Sequence, residues 1–142
     1  MKTKKKAISM SKLKKRVWAT FSRFIRLRDC LITTHTLERG ACITCGCVLL
    51  FKELQAGHFI SGRNNSILFD EECVHAQCKT CNIIKNGNTL VYRRKILELY
   101  GDKYDEVLEK RSQQIKKYTI DELLELEKDL KERIKKLEGN TR

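Results

Sequence analysis

The sequence predicts an α+β fold, mostly helical, in which a small strand–strand–helix core is flanked by a basic N-terminal helix and by C-terminal helices. Three observations predict it. Apolar residues recur at helical spacing from residue 12 to about 36. Two Cys-x-x-Cys pairs, Cys42 to Cys45 and Cys78 to Cys81, bracket a segment of short strand-like runs. Near the C-terminus Ile120, Leu123, Leu130, Ile134 and Leu137 repeat in a three-four alternation broken only at Glu127.

Taken in order, residues 1–11 form a basic tail, 12–100 the cysteine-containing core with its N-terminal helix, and 101–142 a helical extension. The first helix sets Val17, Trp18, Phe21, Phe24, Ile25 and Leu27 on one face and Lys and Arg on the rest. That face suits docking on a core, and equally a basic helix lying on a membrane surface. Cys47–Phe51 and Gln55–Ile60 read as the two strands of a hairpin that leads to His58. Ser61 to Ser66 is a loop by composition and could close over a ligand. Asn82 to Lys85 reads as a short helix started at the second cysteine pair and interrupted by Asn86-Gly87-Asn88. Thr89–Tyr100 and Asp102–Ser112 are predicted helices separated by Gly101, and Thr119-Ile120-Asp121-Glu122 is a capping box that opens the last one. Its stripe of about two and a half heptads is short for a coiled-coil dimer, so the reading places it against its own domain, with a homodimer as the alternative.

Each cysteine pair puts two thiolates on one turn, and two turns supply the four soft ligands of tetrahedral zinc. The alternative, disulfides, needs an oxidising compartment. The chain opens Met1-Lys2-Thr3-Lys4-Lys5-Lys6 without an apolar stretch of signal-peptide length, so a reduced cytoplasm is expected. Seven cysteines are present, and after four ligands Cys30, Cys47 and Cys73 are left as free thiols. A chain of 142 residues buries a modest core, and a structural metal would add to its stability. No run of about eighteen apolar residues exists, which argues against a membrane span.

The net charge of +12 is unevenly placed. Residues 1–97 carry 19 Lys or Arg against 6 acids, whereas residues 98–142 carry 11 against 12. The first 28 residues hold eleven basic side chains and no acid. Such a run is either a solvated tail or an arm that tracks phosphates, and with the knuckle beside it nucleic acid is the expected polyanion.

Thirty-two residues separate Cys45 from Cys78, where a plain two-knuckle site has about fifteen to twenty. The excess holds Ala56-Gly57-His58, the polar loop, and a turn beginning at Cys81-Asn82, so His58 is expected to face Asn82 across a second metal site. A histidine with an ordinary pKa near about 6.5 can act as a neutral base on water attacking a phosphodiester. A hard cation, Mg2+ or Mn2+, would offset charge at the phosphate oxygens, with Asn82 as an oxygen ligand. Lys85 and Arg63 are candidates to hold the phosphate, and Arg23, Arg26 and Arg28 to contact the DNA backbone.

The Cys42-Ile43-Thr44-Cys45-Gly46, Ala56-Gly57-His58-Phe59, Leu68-Phe69, Val74-His75-Ala76-Gln77-Cys78, Cys81-Asn82 and Lys85-Asn86-Gly87-Asn88 segments resemble the HNH, or ββα-metal, nucleases, and within them the phage lambda NinG (Rap) recombination endonuclease family. The Cys-x-x-Cys-Asn end also resembles endonuclease VII. The resemblance implies His58 as base, Asn82 as ligand of the catalytic cation, and a role for His75 in orienting water, touching phosphate or supporting zinc. It implies branched DNA as substrate (Holliday junctions, D-loops, flaps) and host or phage recombination proteins as partners in a bacterial host. Two positions depart from the family. Gln55 stands where an Asp is usual, and a neutral amide attracts a divalent cation less; Asp70, Glu71 or Glu72 could compensate. Cys73 stands where an Asn could orient the base, and a thiol hydrogen-bonds poorly. The competing readings are a non-catalytic zinc nucleic-acid-binding module and an HNH endonuclease acting on plain duplex.

Overall fold

The computed structural model describes residues 7–62 and 64–139. It is α+β and mostly helical, with two small two-stranded sheets. Most of the basic tail predicted for residues 1–11, and Arg63, lie outside the described residues.

Helix α1 (Met10–Thr34) starts at Ser9, whose hydroxyl accepts from Lys12 N, and stops at His35, a left-handed cap whose N–H returns to the Leu31 carbonyl. Its apolar face, Leu13, Val17, Phe21, Phe24 and Ile25, is buried in the main core. Helix α5 (Ile120–Gly139) lies along it and buries Leu123, Leu130 and Ile134 in the same core. Thr119 accepts from Glu122 N, so half of the capping box forms, while the Glu122 carboxylate pairs with Lys116 instead. The break at Glu127 has a cause. Arg16 of α1 donates through Nε and Nη2 to both Glu127 oxygens, at 2.7 and 3.0 Å, and the two-pronged bond lets a carboxylate stand in an apolar stripe. Leu130 is 0 % exposed at this seam. Leu130→Ala is expected to cost about 3 kcal/mol, measured by urea unfolding of the metal-loaded protein.

The predicted hairpin is corrected. Strand β1 (Arg39–Ala41) pairs antiparallel with β2 (Val48–Leu50), and β3 (Leu54–His58) pairs antiparallel with β4 (Val74–Cys78). Cys47–Phe51 and Gln55–Ile60 therefore belong to different sheets. A single 3-10 turn, Phe51–Glu53, separates them, and the Glu53 carboxylate accepts from Leu50 N at 3.0 Å, turning the chain away from a direct hairpin. Strand β4 was hidden because Val74-His75-Ala76-Gln77-Cys78 alternates like a half-exposed strand, yet all five residues are buried. Asp29, itself buried on α1, accepts from Ala76 N at 2.7 Å and fixes β4 to the helix.

The loop after β3 contains a short helix, α2 (Asn65–Leu68). The expected short helix after the second cysteine pair is one π-helical turn, Thr80–Ile84. Asn86, Gly87 and Asn88 follow with left-handed φ values of 49°, 90° and 48°, and Gly87 N–H donates to the Cys81 carbonyl. This tight reversal ends the turn and starts α3 (Thr89–Tyr100), and α4 (Tyr104–Ser112) follows beyond Gly101. No helix among the described residues is long and apolar enough to cross a membrane.

Candidate functional site

The four predicted ligands come together. The Sγ atoms of Cys42, Cys45, Cys78 and Cys81 all lie within 4.8 Å of one another, and those of Cys45 and Cys78 are 3.8 Å apart. Tetrahedral zinc with Zn–S bonds of about 2.3 Å needs sulfurs about 3.8 Å apart, so the cluster fits such an ion. The first turn is closed by Gly46 N to the Cys42 carbonyl and tied to β4 by Ile43 N to the Ala76 carbonyl, both 2.9 Å. Donors surround the sulfurs: Cys81 N faces Cys78 Sγ, Asn88 Nδ2 faces Cys81 Sγ, and the Thr44 hydroxyl lies 3.2 Å from Cys42 Sγ. Burial pushes the Cys42 thiol up, yet the Thr44 hydroxyl and nearby backbone N–H groups outweigh it and bring the pKa down to about 6. Burial raises Cys45 and Cys78 to about 11, so binding an ion there releases protons.

None of the seven cysteines forms a disulfide. Cys30 and Cys73 are fully buried, and desolvation first of all raises each to about 11. Cys73 is buried in the main core with Phe59 and Tyr92, and its carbonyl accepts from Phe59 N at 2.7 Å, next to the strand that carries His58. Cys47 is exposed, with its Sγ 3.2 Å from that of Cys45.

Beside the cysteine cluster a cleft of about 660 Å³ is lined by Trp18, Ser22, Arg26, Gln55, His58, Asn82 and Asn86 among others. The structure thus brings His58, Gln55, Asn82 and Arg26 together. His58 stacks on Trp18 with ring centroids 5.1 Å apart and planes 16° from parallel. Its Nε2 lies 3.2 Å from the Leu68 carbonyl. A carbonyl can only accept, so Nε2 carries the proton in the neutral ring and the basic lone pair is on Nδ1. Asn82 Nδ2 donates to Gln55 Oε1 at 2.9 Å. Arg26 is half-buried, its guanidinium 4.5 Å from the Phe51 ring centre and its Nε bonded to the Ser22 carbonyl. Desolvation lowers the Arg26 pKa, with Arg23 adding repulsion.

Other candidates lie elsewhere. Arg28 is outside the cleft: Nε donates to Asp29, and its terminal nitrogens donate to the Glu71 and Val74 carbonyls at 2.7 and 3.0 Å, which makes it a clamp on β4 rather than a free phosphate contact. Arg23 pairs with Glu138 on the outer face of α1. Lys85 is exposed at the end of the Thr80–Ile84 turn. The carboxylates expected to compensate for Gln55 are engaged away from the cleft, Asp70 and Glu72 with Arg111 and Glu71 with Arg133.

His75 also stands apart from His58. It is 4 % exposed, with Nδ1 3.2 Å from the Tyr92 hydroxyl and Nε2 2.8 Å from the Tyr100 hydroxyl. Tyr92 donates its proton to the Gly57 carbonyl, so it accepts from His75 Nδ1–H, and Tyr100 donates to Nε2. This chain needs the neutral ring. Burial lowers the His75 pKa from its ordinary 6.5 to about 4. Below pH 6.5 the unfolded chain takes up a proton that the folded chain refuses, so stability is full above 6.5 and falls as pH drops toward 4, by up to about 3 kcal/mol. NMR titration is expected to leave the His75 ring carbons unshifted from pH 8 to 5; a midpoint near 6.5 would contradict this buried arrangement.

Trp18 and the Tyr92–Tyr100 pair were not singled out from the sequence as site residues. They carried only the signal of apolar periodicity.

The cysteine cluster, the two small sheets and the basic amide-lined cleft define a mostly helical α+β protein with a four-cysteine knuckle able to hold a metal such as zinc. The family described as Bacteriophage Lambda NinG protein matches residues 1–140, and the chain belongs to that family. It is similar to Protein ninG of Escherichia phage lambda, 27% identical over 100 residues that make up 70% of this chain and 48% of the relative. The like-named protein of Escherichia phage 933W is 27% identical over 100 residues, 70% of this chain and 49% of the relative. That of Salmonella phage P22 is 38% identical over 61 residues, 42% of this chain and 30% of the relative. The chain thus spans about half or less of the length of these relatives. The search of solved structures found no match.

Proposed function

We propose that this chain is a metal-dependent DNA endonuclease of phage-type recombination, hydrolysing phosphodiesters in branched DNA within the cytoplasm of a bacterial host. In this reading β3, β4 and the Thr80–Ile84 turn form an HNH-like unit, and zinc on Cys42, Cys45, Cys78 and Cys81 is structural. The observation that carries it is the cleft that His58, Gln55, Asn82 and Arg26 line together, next to that knuckle. Membership of the NinG family supports it.

In the proposed reaction His58 Nδ1 takes a proton from water as the water oxygen bonds to phosphorus and the bond to the leaving sugar oxygen breaks. Trp18 holds the imidazole plane by stacking, and the Leu68 carbonyl holds the tautomer. Arg26 faces the phosphate from α1, and exposed Lys85 reaches flanking backbone. Gln55 and Asn82 would hold Mg2+ or Mn2+, which when bound would supply charge neutralisation at the phosphate oxygens. These are neutral donors, so binding of the cation would depend on the negative charge of the DNA phosphate. Two strand cuts at a symmetric junction would call for a homodimer.

One observation favours a second reading, a non-catalytic nucleic-acid-binding module: no carboxylate lines the cleft among the described residues. The test is incubation of zinc-loaded protein with labelled four-way junction, flap and linear duplex in Mg2+, Mn2+ or EDTA. Cutting of branched DNA that requires the divalent cation is expected. Equal cutting of linear duplex would replace the branched-DNA assignment by a plain HNH activity. Salt-sensitive binding without any cutting would leave the binding module.

A further inference from the structure

Helix α1 carries seven basic side chains, and the fold sorts them by what each one faces. Arg16 is held by Glu127, Arg23 by Glu138, and Arg28 by Asp29 and the carbonyls of Glu71 and Val74. These three are bound to the protein's own acceptors. Arg26 reaches the cleft that holds His58. Lys14 and Lys15 line a second cleft, of about 440 Å³, together with Trp18, Asn65 and Leu68. Lys12 lines neither.

The two clefts adjoin at Trp18, which lines both, and Leu68, whose carbonyl meets His58 in the first, lines the second. Lys15, Trp18, Ser22 and Arg26 succeed one another at three- and four-residue steps and so share one stripe of the helix. From Lys15 to Arg26 the stripe runs about 16 Å at about 1.5 Å per residue, the axial length of about five nucleotides of one duplex strand at about 3.4 Å each. No Asp or Glu lines either cleft among the described residues. Lys15 is exposed, and Lys14 gives one ammonium proton to Asn65 Oδ1 at 2.9 Å, which leaves its other donors for a ligand. The stripe therefore offers cations to a polyanion at both of its ends. The apolar side of α1 is buried in the core and has nothing to insert into a membrane.

We propose that the Lys15–Arg26 stripe of α1 seats one arm of the DNA: the strand that meets His58 and Arg26 continues past Trp18, and Lys14 and Lys15 neutralise phosphates farther along that strand. The inference rests on the proposed reading of the chain as acting on DNA, and it sets the direction in which the strand leaves the site. Contacts of this kind position the backbone and read no base sequence.

The experiment measures binding of four-way junction DNA to the full zinc-loaded chain over a range of salt, without Mg2+ or Mn2+ so that the DNA stays uncut. Lys15→Met is expected to weaken binding about three- to tenfold near about 0.1 M salt and to lower the slope of log affinity against log salt by about 0.9, the amount one phosphate contact contributes. Lys128→Met, the same charge loss at an exposed position of α5, is expected to stay within about twofold of wild type with its slope unchanged. Equal losses in the two variants would reduce the effect to net charge and overturn the proposal. Zinc content and circular dichroism report whether each variant is folded. Junctions carrying single uncharged methylphosphonate linkages locate the contacts. The linkage whose penalty vanishes in Lys15→Met and the one whose penalty vanishes in Arg26→Met are expected on the same strand, within about five nucleotides of each other; linkages on different arms overturn the path. A measurement that keeps Arg26 puts the photo-cross-linker benzoylphenylalanine in place of Lys15 or of Lys128: capture of DNA from the first position and not the second is expected, and any other pattern overturns the seat. Should the chain bind vesicles of anionic lipid and no DNA, the stripe belongs to a membrane surface and the proposal falls. Should wild type cut no DNA with Mg2+ or Mn2+ while this binding pattern holds, the nuclease reading falls and the DNA seat stands. Cutting of DNA by a protein in which Lys15→Met changes neither affinity nor slope has the opposite meaning.

Discussion

Removing zinc, by a strong chelator or by Cys81→Ser, is expected to unfold the knuckle and to abolish the cooperative melting of the whole chain near room temperature. Cys81 is 1 % exposed, and its sulfur faces Asn88 Nδ2 at the start of α3, so losing the ion frees the Thr80–Ile84 turn and the reversal at Gly87 together. Structural zinc contributes on the order of 10 kcal/mol in small knuckles, as much as the whole stability of a typical domain. Hydrogen exchange should show protection lost first over residues 39–50 and 74–88, with the α1–α5 seam outlasting them because its contacts are apolar. Cys45→Ser is expected to be milder than Cys81→Ser, since Cys47 Sγ lies 3.2 Å from Cys45 Sγ on the exposed side and can take over as fourth ligand. Colorimetric zinc release on heating measures both. Retention of a full zinc equivalent by Cys81→Ser with an unchanged melting temperature would refute the four-cysteine assignment.

His58→Ala is expected to lower the rate of junction cleavage by about 10²–10⁴-fold, the range for loss of a positioned general base. Binding of the same junction should stay within about threefold, because Arg26, Lys85 and the basic helix are untouched. The variant leaves the core intact, since His58 is partly exposed and its stacking partner Trp18 stays packed against Phe21. Trp18→Ala should lose less, by releasing the imidazole from one plane without removing it. The pH–rate profile separates the roles: a rising limb that disappears in His58→Ala marks the base. An unchanged rate in His58→Ala would move the base elsewhere. His75 is a poor substitute, because its ring nitrogens are both engaged by Tyr92 and Tyr100.

The parts whose chemistry is local were legible in the order of residues. The Cys-x-x-Cys spacing places two sulfurs on one turn whatever surrounds it, and the 3.6-residue period of α1 and α5 marks their buried faces from side chains alone. The Asn-Gly-Asn reversal after the second pair was equally legible, because these residues tolerate left-handed backbone. Strand pairing was not legible. Val48–Leu50 and Leu54–His58 are close in sequence and of similar character, and only long-range packing gives each a different partner, since ladder hydrogen bonds are made by backbone that every residue shares. The fates of charged and polar side chains were likewise decided by the folded chain. Arg26 and Arg28 lie two residues apart on one helix, and at about 100° per residue they face different surroundings, so one enters the cleft and the other clamps β4. His58 and His75 sit one register step apart across β3 and β4, yet the pleat sends one ring to Trp18 and the cleft and the other between two buried tyrosines. Local spacing chooses which groups can share a turn, and only tertiary packing, through burial and the direction of each side chain, chooses which of them meet.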